Sequence, residues 1–345
     1  MLSSRTIEFW SWRLFAVALV VSLGVSWWDY PQRWHTPGYW LRNLIMYWLY
    51  WSPRLAGVFM LTGFVSRAWN TRGGRRLLAM LMSVGVMIGL WSSLVEPQQL
   101  QVRETVLTGL PEGAEPVRLA VISDVHWGLF FRDSQLQGLV DKLNTLEVDA
   151  VLVAGDWTHE PPLDLKTGLA PLASIRHPVY GVMGNHDVEA PGPPLTEALR
   201  EALKANGVQM LEGRMVTWKG WELVGLDDQW GGSPGPQVAA LWPNERGHDR
   251  PQPSRRIVLA HQPDTLALLP EQGAFLAIAG HTHGGQIWIP GLTPWWLRNT
   301  NSEQSWWNGL YSTRVGPVFV TPGVGTVGLP ARLAVPPMID VIELR

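Results

Sequence analysis

The sequence predicts an α/β domain in residues 105–345 that follows an α-helical membrane region in residues 1–104. In the later part, short runs rich in Val, Ile, Leu and Ala alternate with helical patterns, which is the element order of α/β domains. The earlier part has long charge-free apolar runs and ten arginines without a lysine. The later part has 17 basic and 25 acidic residues, a balance that disfavours a nucleic-acid binder. The chain contains no cysteine, which excludes disulfides and thiol catalysis.

Two to three transmembrane helices are predicted, at about residues 10–28, 44–66 and 77–95. Within the first and last of these, the stretches Leu14–Trp28 and Leu77–Val95 are charge-free and approach the ~20 residues that cross a bilayer. The middle run is interrupted by Ser52-Pro53-Arg54, so a kinked span, two re-entrant half-helices and an interfacial segment are alternatives. We favour a span. A cleaved signal peptide is the alternative for the first run, but no small-residue cleavage site follows it.

The arginines predict the orientation of these helices. Arg67, Arg72, Arg75 and Arg76 form a dense positive loop before the last run, and positive loops remain in the cytoplasm. The chain then leaves the membrane on the extracytoplasmic side, which is where residues 105–345 are expected. Anionic lipid head groups are a second possible role for this loop, but topology is the simpler explanation.

The later part is predicted to contain buried strands without strict polar alternation. These strands are Val117–Ser123, Asp149–Ala154, Val179–Met183, Ile257–Ala260 and Phe275–Ala279. Helical spacing predicts helices over 133–146 and 195–205. Shorter strands over 208–226 favour a mixed sheet. The Gly-, Pro- and Trp-rich stretches 227–253 and 290–314 are predicted to be irregular loops.

Each of the five strands is followed by a block of polar side chains. The blocks are Ser123-Asp124-Val125-His126, Gly155-Asp156, Gly184-Asn185-His186-Asp187, Ala260-His261 and Gly280-His281-Thr282-His283-Gly284. Strand ends in open α/β sheets assemble a ligand crevice, so the blocks are expected to meet. An isolated buried histidine is usually structural, but five of the nine histidines lie in these blocks. The sequence therefore predicts a metal site.

The blocks supply ligands for two divalent ions held about 3.5–4 Å apart, as in dinuclear hydrolytic sites. The expected ligands are Asp124, His126 and His283 for one ion, Asn185, His261 and His281 for the other, and Asp156 between both. Imidazole mixed with carboxylate and amide oxygens favours Mn, Fe, Zn, Ni or Co over calcium or magnesium. His159 is expected to be exposed rather than to touch substrate, and His35, His177 and His248 receive no role.

Read in order as D-x-H, G-D, G-N-H-D, H and G-H-x-H, the blocks resemble the calcineurin-like metallophosphoesterase family over about residues 115–345. The resemblance implies a four-layer α/β/β/α sandwich with two mixed sheets, two metal ions and a bridging hydroxide that attacks phosphorus. His186 corresponds to the histidine of the family that contacts phosphate and assists the leaving group. Asp187 is positioned to orient it, so the resemblance makes these two the catalytic candidates.

The C-terminal part resembles the bacterial membrane-anchored or exported subgroup of the family. The shared elements are Gly284–Pro290, Gly309-Leu310-Tyr311, Thr321–Gly325 and Arg332. Pro337-Met338-Ile339 stands where the subgroup usually has P-E-I, and Trp306 or Trp307 stands where a tyrosine is frequent. The resemblance implies a location in the bacterial inner (cytoplasmic) membrane.

Together these features predict a membrane-anchored phosphoesterase that cleaves phosphodiester or pyrophosphate bonds, with the lipid bilayer and a phosphate ester as partners and no nucleic acid. A lipid-linked substrate is a candidate because an anchor confines the enzyme to the membrane. One alternative is a UDP-2,3-diacylglucosamine-type pyrophosphatase, whose cytoplasm-facing site conflicts with the arginine topology. Another is a non-catalytic membrane-bound sensor or scaffold, although intact Asp156, Asn185 and His186 disfavour it. The Trp-rich segment from Trp295 to Trp307 is either a substrate- or membrane-facing lip or ordinary packing.

Overall fold

The computed structural model describes residues 2–29, 37–162, 164–188, 195–243, 254–300 and 304–345. The chain divides into two compact units. The first comprises Met1–Gln99 with Val327–Leu333, and the second comprises Leu100–Thr326 with Ala334–Arg345. His35 and His248 lie outside the described residues, as do residues 244–253 of the predicted loop 227–253.

The first unit is built from long helices. They are α1 (Ser4–Asp29), α2 (Pro37–Asn70) and α3 (Gly73–Leu90), and α3 continues through a π-helical turn, Trp91–Val95, and a 3-10 turn, Glu96–Gln98. Within the described residues, Ser4–Asp29 and Gly73–Gln98 are long and apolar enough to cross a membrane, by length and composition alone. The helix α2 runs through Pro53 without a break, which excludes two half-helices. The Arg54 guanidinium donates to the Tyr50 carbonyl oxygen one turn earlier and lies 3.5 Å from the Tyr50 ring centre.

The second unit contains every strand that the structure describes. In chain order they are β1 (Gln101–Leu107), β2 (Val117–Ile122), β3 (Trp127–Gly128), β4 (Ala150–Ala154), β5 (Thr158–His159), β6 (Val179–Val182), β7 (Val208–Met210), β8 (Arg214–Trp218), β9 (Trp221–Gly225), β10 (Arg256–Leu259), β11 (Leu276–Ala279), β12 (Gly309–Thr313), β13 (Gly316–Val320) and β14 (Met338–Leu344). Its α-helices are α4 (Asp133–Leu143), α5 (Leu165–Gly168), α6 (Asn185–Val188), α7 (Thr196–Ala205), α8 (Pro234–Leu241), α9 (Pro263–Leu266) and α10 (Leu292–Thr300).

The strands form two six-stranded mixed sheets and a short β3–β5 ladder. The first sheet has the order β1-β14-β2-β4-β6-β7, and the second has the order β12-β13-β11-β10-β9-β8. Antiparallel pairs occur where β14 meets β2 and at the outer strands β8 and β12, while the strands between are parallel. The predicted mixture of strand directions is confirmed.

Three apolar clusters hold the layers together. The central cluster joins the facing sides of the two sheets through residues such as Leu152, Ile257 and Phe319. A second cluster packs α4 and α7 against the outer side of the first sheet, and a third packs α8 and α9 against the outer side of the second. Burial of apolar surface is the main favourable term in such packing. The predicted four-layer α/β/β/α sandwich is therefore confirmed.

Two predictions about irregular structure are wrong. The stretch 227–253 contains α8, and the stretch 290–314 contains α10 and β12. Their glycine, proline and tryptophan content hides these elements, although proline near a helix start, as at Pro234, is favourable. The first strand of the sheet, β1, begins at Gln101, so the boundary placed at residue 105 falls inside it. This strand lies at the sheet edge and alternates between exposed and half-buried residues, unlike the strands on which the sequence argument relied.

Candidate metal centre

The seven predicted ligands converge at the carboxyl ends of five parallel strands, three in the first sheet and two in the second. Asp124 and His126 follow β2, Asp156 follows β4, Asn185 follows β6, His261 follows β10, and His281 and His283 follow β11. The first three strands are neighbours in one sheet, and β10 and β11 are neighbours in the other. Because the two sheets face each other across the central cluster, their strand ends deliver residues far apart in sequence to one place.

The loops that carry these residues have unusual backbone conformations. Five of the seven have a left-handed φ although none is glycine: Asp124 (52°), His126 (50°), Asp156 (54°), His281 (69°) and His283 (50°). Such conformations cost on the order of 1 kcal/mol or more each and concentrate at functional sites. The fold thus accepts strain in order to turn these side chains toward one another.

The first cluster of ligand atoms is formed by Asp124, His126 and His283, all of which are buried. The Nε2 atoms of His126 and His283 are 3.0 Å apart. Asp124 Oδ1 lies 3.3 Å from His283 Nε2 and 3.8 Å from His126 Nε2. Its other oxygen, Oδ2, accepts hydrogen bonds from the Ser123 hydroxyl and from the His281 backbone N–H. The carboxylate is therefore fixed with Oδ1 toward the two imidazoles.

The second cluster is formed by Asn185, His261 and His281. Asn185 Oδ1 lies 3.1 Å from His261 Nε2 and 3.0 Å from His281 Nδ1. The two imidazole nitrogens are 3.3 Å apart. These three atoms thus form a small triangle of one amide oxygen and two nitrogens.

Asp156 lies between the two clusters. Its Oδ2 is 3.1 Å from His261 Nε2 in the second cluster and 3.6 Å from His126 Nε2 in the first. Its Oδ1 accepts a hydrogen bond of 2.9 Å from the His186 backbone N–H. Gly184 permits this approach, because a Cβ at that position would come within 2.2 Å of Asp156 Oδ1. A single carboxylate oxygen therefore faces both groups of ligand atoms.

The arrangement fits two divalent ions better than a network of hydrogen bonds. Ligands about 2.0–2.1 Å from a tetrahedral ion lie roughly 3.3 Å apart, close to the separations within each cluster. Asp124 Oδ1 is buried and accepts no hydrogen bond from the described residues, although a buried polar atom normally has a partner. The Nδ1 of His261 lies 2.8 Å from the Ala154 carbonyl oxygen, which can only accept. That contact fixes the tautomer and leaves the Nε2 lone pair directed into the cluster.

The protonation states of the site also favour cation binding. Burial lowers the pKa of His281 to about 3 and that of His126 well below 6.5, so both imidazoles are neutral ligands. Burial raises the pKa of Asp156, but the surrounding histidines, His261 first, outweigh burial and hold it well below its usual range. Burial opposes charge on His261, yet the Asp156 carboxylate raises its pKa to about 10. The site therefore attracts a positive charge, which a divalent ion supplies in place of that proton.

His186 lies beside the first cluster and remains accessible. Its side chain is half-buried, and its ring centre is 4.9 Å from that of His126 in an edge-to-face arrangement. Its backbone N–H donates to Asp156, and its ring extends from the short helix α6, which also carries Asn185. This placement suits contact with a bound phosphate rather than membership of either triangle.

Asp187 requires a correction. Its Oδ1 accepts from the Thr158 backbone N–H and hydroxyl, and its Oδ2 accepts from the backbone N–H groups of Gly184 and Trp157. Among the described residues, none of these bonds goes to the His186 ring, so its carboxylate does not orient that ring as the sequence resemblance implied. Asp187 instead ties the loop after β4 to the loop after β6. Burial raises its pKa to about 7, with the Asp156 charge acting in the same direction.

Replacing Asp187 with alanine is therefore expected to weaken metal binding without removing a ligand. Loss of a residue that supports a ligand typically lowers metal affinity by about 10–100-fold. Leaving backbone donors unsatisfied is expected to reduce the free energy of unfolding by roughly 1–3 kcal/mol. Chelator competition and thermal unfolding measure the two effects, with the exposed Asp141→Ala as the matched control. If Asp187→Ala keeps its metal affinity but loses as much turnover as His186→Ala, Asp187 orients the His186 ring after all.

His159 was expected to be exposed, and this is wrong. The residue is only 4% exposed, and its ring centre lies 4.6 Å from that of His186 and 5.4 Å from that of His126. The β3–β5 ladder, which pairs Gly128 with His159, places it there. One imidazole nitrogen from each of His126, His159 and His186 falls within 4.8 Å of the others. Proximity to Asp156 was the only signal for this in the sequence, because β5 is only two residues long.

Asp228 is a further carboxylate that the sequence argument missed. It follows β9, the neighbour of the strand that leads to His261, and is 3% exposed. Its Oδ1 accepts from the Trp230 backbone N–H, whereas Oδ2 is buried without a hydrogen-bond partner among the described residues. Burial raises its pKa, and the charge of His261 opposes that rise. The available signal was the acidic pair Asp227-Asp228 directly after an apolar run, Leu223–Leu226.

Comparison with known proteins places this geometry in a family. Residues 117–285 match the family described as calcineurin-like phosphoesterase. The second unit therefore carries a calcineurin-like phosphoesterase domain. The matched range begins at β2 and ends two residues after His283, so it contains all seven candidate ligands.

Similar proteins occur in bacteria and in vertebrates. A "Transmembrane protein with metallophosphoesterase domain" of Danio rerio is 30% identical over 75% of this chain and 60% of its own length. "Uncharacterized metallophosphoesterase YkuE" of Bacillus subtilis is 25% identical over 73% of this chain and 87% of its own length. "Phosphodiesterase YaeI" of Escherichia coli is 26% identical over 72% of this chain and 90% of its own length. The chain thus spans less than two thirds of the Danio rerio relative.

Proposed function

We propose that this protein is a membrane-anchored, dinuclear-metal phosphoesterase that hydrolyses phosphodiester or pyrophosphate bonds. The observation that carries the proposal is Asp156 Oδ2, which faces both ligand clusters at 3.1 Å and 3.6 Å from their nearest imidazole nitrogens. A carboxylate in that position suits two ions that share a ligand. The similarity to a protein named a phosphodiesterase supports the bond type.

The residues of the chain divide the chemistry between them. When bound, two divalent ions activate a water molecule and offset charge on phosphoryl oxygens. Asp124 and Asp156 supply the anionic ligands, and the neutral imidazoles of His126 and His281 complete the sites without adding charge. His186, on the accessible side of the first cluster, is placed to contact phosphate and donate a proton to the departing oxygen.

Metal removal tests the proposal directly. We expect the full chain in detergent to bind two ions, to hydrolyse bis-p-nitrophenyl phosphate faster than p-nitrophenyl phosphate, and to lose activity with a chelator. Reloading with Mn, Fe, Zn, Ni or Co one at a time identifies the metal that restores it. If the Mn-loaded protein cleaves neither compound and Asp156→Ala changes nothing, the hydrolase proposal is wrong and a non-catalytic sensor or scaffold remains.

We also propose that the domain faces the extracytoplasmic side of a bacterial inner membrane. The two apolar helices and the similarity to proteins named transmembrane support a membrane location. The arginines at 67–76 support the orientation. Alkaline phosphatase fused at Arg345 is expected to be active, and green fluorescent protein fused there is expected to be dark. The opposite result would place the site in the cytoplasm, where the UDP-2,3-diacylglucosamine-type alternative requires it.

A further inference from the structure

The helix α10 exposes an apolar face to solvent. Leu292 is 54% exposed, Trp295 is 62% exposed and Trp296 is 49% exposed, and the preceding Ile289 is 45% exposed. We call these four residues the tryptophan face. Arg298 is the charged residue of the helix, which contains no acidic residue. Surface helices normally present polar residues outward, so this distribution is reversed.

The opposite side of α10 is fixed to the domain. Thr293 and Leu297 are 5% and 1% exposed, respectively. The Thr293 hydroxyl donates to the Ile287 carbonyl oxygen at 2.8 Å and accepts from the Ile289 backbone N–H at 2.8 Å. The tryptophan face therefore points outward because the helix is anchored by its other side.

This anchorage connects α10 to the candidate metal centre. The turn Gly284-Gly285 directly follows His283, and α10 packs on it so closely that a Cβ at Gly285 would come within 2.3 Å of Thr293 Cγ2. The same Cβ would lie 3.3 Å from Leu297 Cδ1. The Thr282 hydroxyl also donates to the Trp307 carbonyl oxygen. The tryptophan face and two histidines of the site thus belong to one continuous packed element.

The tryptophans of this region divide into two kinds. Trp306 is half-buried and packs against the cluster that contains Val318 and Val320, so ordinary packing explains it. Trp295 and Trp296 leave about half or more of their surface exposed, and packing within the domain does not account for that area. Soluble proteins rarely expose contiguous apolar patches without an interaction to cover them.

The occupant that best matches this face is the interfacial region of a lipid bilayer. Tryptophan is enriched at membrane interfaces, where its ring is apolar and its N–H remains wet. An exposed arginine beside apolar residues suits anionic head groups. The same chain carries two helices apolar enough to cross a membrane, and the second ends at Gln98, three residues before β1 begins at Gln101. With these helices in a membrane, as proposed above, the short connection to β1 keeps the domain close to the bilayer.

We propose that the tryptophan face enters the bilayer interface and that the adjacent site takes a phosphodiester or pyrophosphate carried by a lipid. The substrate part of this inference rests on the proposed function. A face that touches lipid and is rigidly joined to the turn after His283 positions the site to receive a head group without extracting its acyl chains. Water-soluble esters reach the same site from solution and gain nothing from the face.

The absence of cysteine permits a clean test of membrane contact. Leu292→Cys in the full chain is labelled with a nitroxide and reconstituted into phosphatidylglycerol-containing vesicles. Met215→Cys, at a 44% exposed apolar position on β8, is the matched control. We expect the label at position 292 to collide preferentially with oxygen and the label at 215 with a water-soluble nickel chelate. The proposal is wrong if the nickel chelate reaches both labels equally. It is also wrong if a second copy of the chain, detected by cross-linking, is what shields position 292.

Activity tests the substrate part. The variant Leu292→Gln/Trp295→Gln is compared with Leu292→Ile/Trp295→Phe on a p-nitrophenyl phosphodiester of a dialkylglycerol in vesicles and on soluble bis-p-nitrophenyl phosphate. We expect the glutamine variant to lose about tenfold on the lipid ester, equivalent to ~1.4 kcal/mol, and to keep the soluble activity. Equal losses on both compounds would overturn the substrate part. If the wild type cleaves neither compound, the proposed function fails, and the label at position 292 still decides membrane contact.

Discussion

Replacing Asp156 with alanine is expected to lower turnover by at least ~10³-fold, which corresponds to about 4 kcal/mol of transition-state stabilisation. The variant is also expected to bind fewer than two ions. Asp156 Oδ2 is the atom that faces both clusters, so its loss weakens both metal positions rather than one. Its Oδ1 also holds the backbone of His186, so the loop that carries Asn185 loses an anchor at the same time.

Metal content and turnover should be measured together on the same preparation of this variant. Asp141→Ala removes an exposed carboxylate on α4 and is expected to leave both values unchanged. Asp156→Asn keeps the shape and one oxygen acceptor but not the charge, so it separates the ligand role from the loop anchor. A fully metallated and active Asp156→Asn variant would show that no shared anionic ligand is needed and would contradict the dinuclear assignment.

The convergence of the seven candidate ligands could be predicted from the sequence because each of them follows a strand that is buried on both faces. Such strands appear in the sequence as continuous apolar runs. The polar residues that end these runs, such as Asp124 and Asp156, are therefore easy to recognise. The parallel topology then determines that the ends meet. The same logic reaches His261, which has no motif of its own beyond the preceding run over 257–260.

Other parts of the site depend on contacts that no local pattern encodes. His159 enters through a two-residue ladder, and Asp187 turns its carboxylate toward donors on another loop.

Edge elements were missed for a related reason. The strand β1 mixes polar and apolar residues without a regular period at the sheet margin. It is recognisable only through its parallel partner, β14, more than two hundred residues later. Helix α10 was missed because its exposed face is apolar, which removes the amphipathic signal.

Replacing His186 with alanine is expected to leave both ions bound and to lower turnover by about 10²–10⁴-fold for an ester with an alkyl leaving group. The backbone N–H that contacts Asp156 remains in this variant, so the ligand loop keeps its anchor. A p-nitrophenolate leaving group is weakly basic and needs little protonation, so the loss on bis-p-nitrophenyl phosphate is expected to be much smaller. This difference between leaving groups is the signature of a proton donor.

Turnover of both ester types and metal content are the measurements that separate the possible roles of His186. His177→Ala, which changes a histidine outside the site, is the matched control and should behave as wild type. If His186→Ala loses one equivalent of metal, His186 is itself a metal ligand alongside His126, whose ring centre is 4.9 Å away. Equal losses for both leaving groups with metal retained would instead assign His186 to holding the phosphate, because that contact is needed whatever group departs.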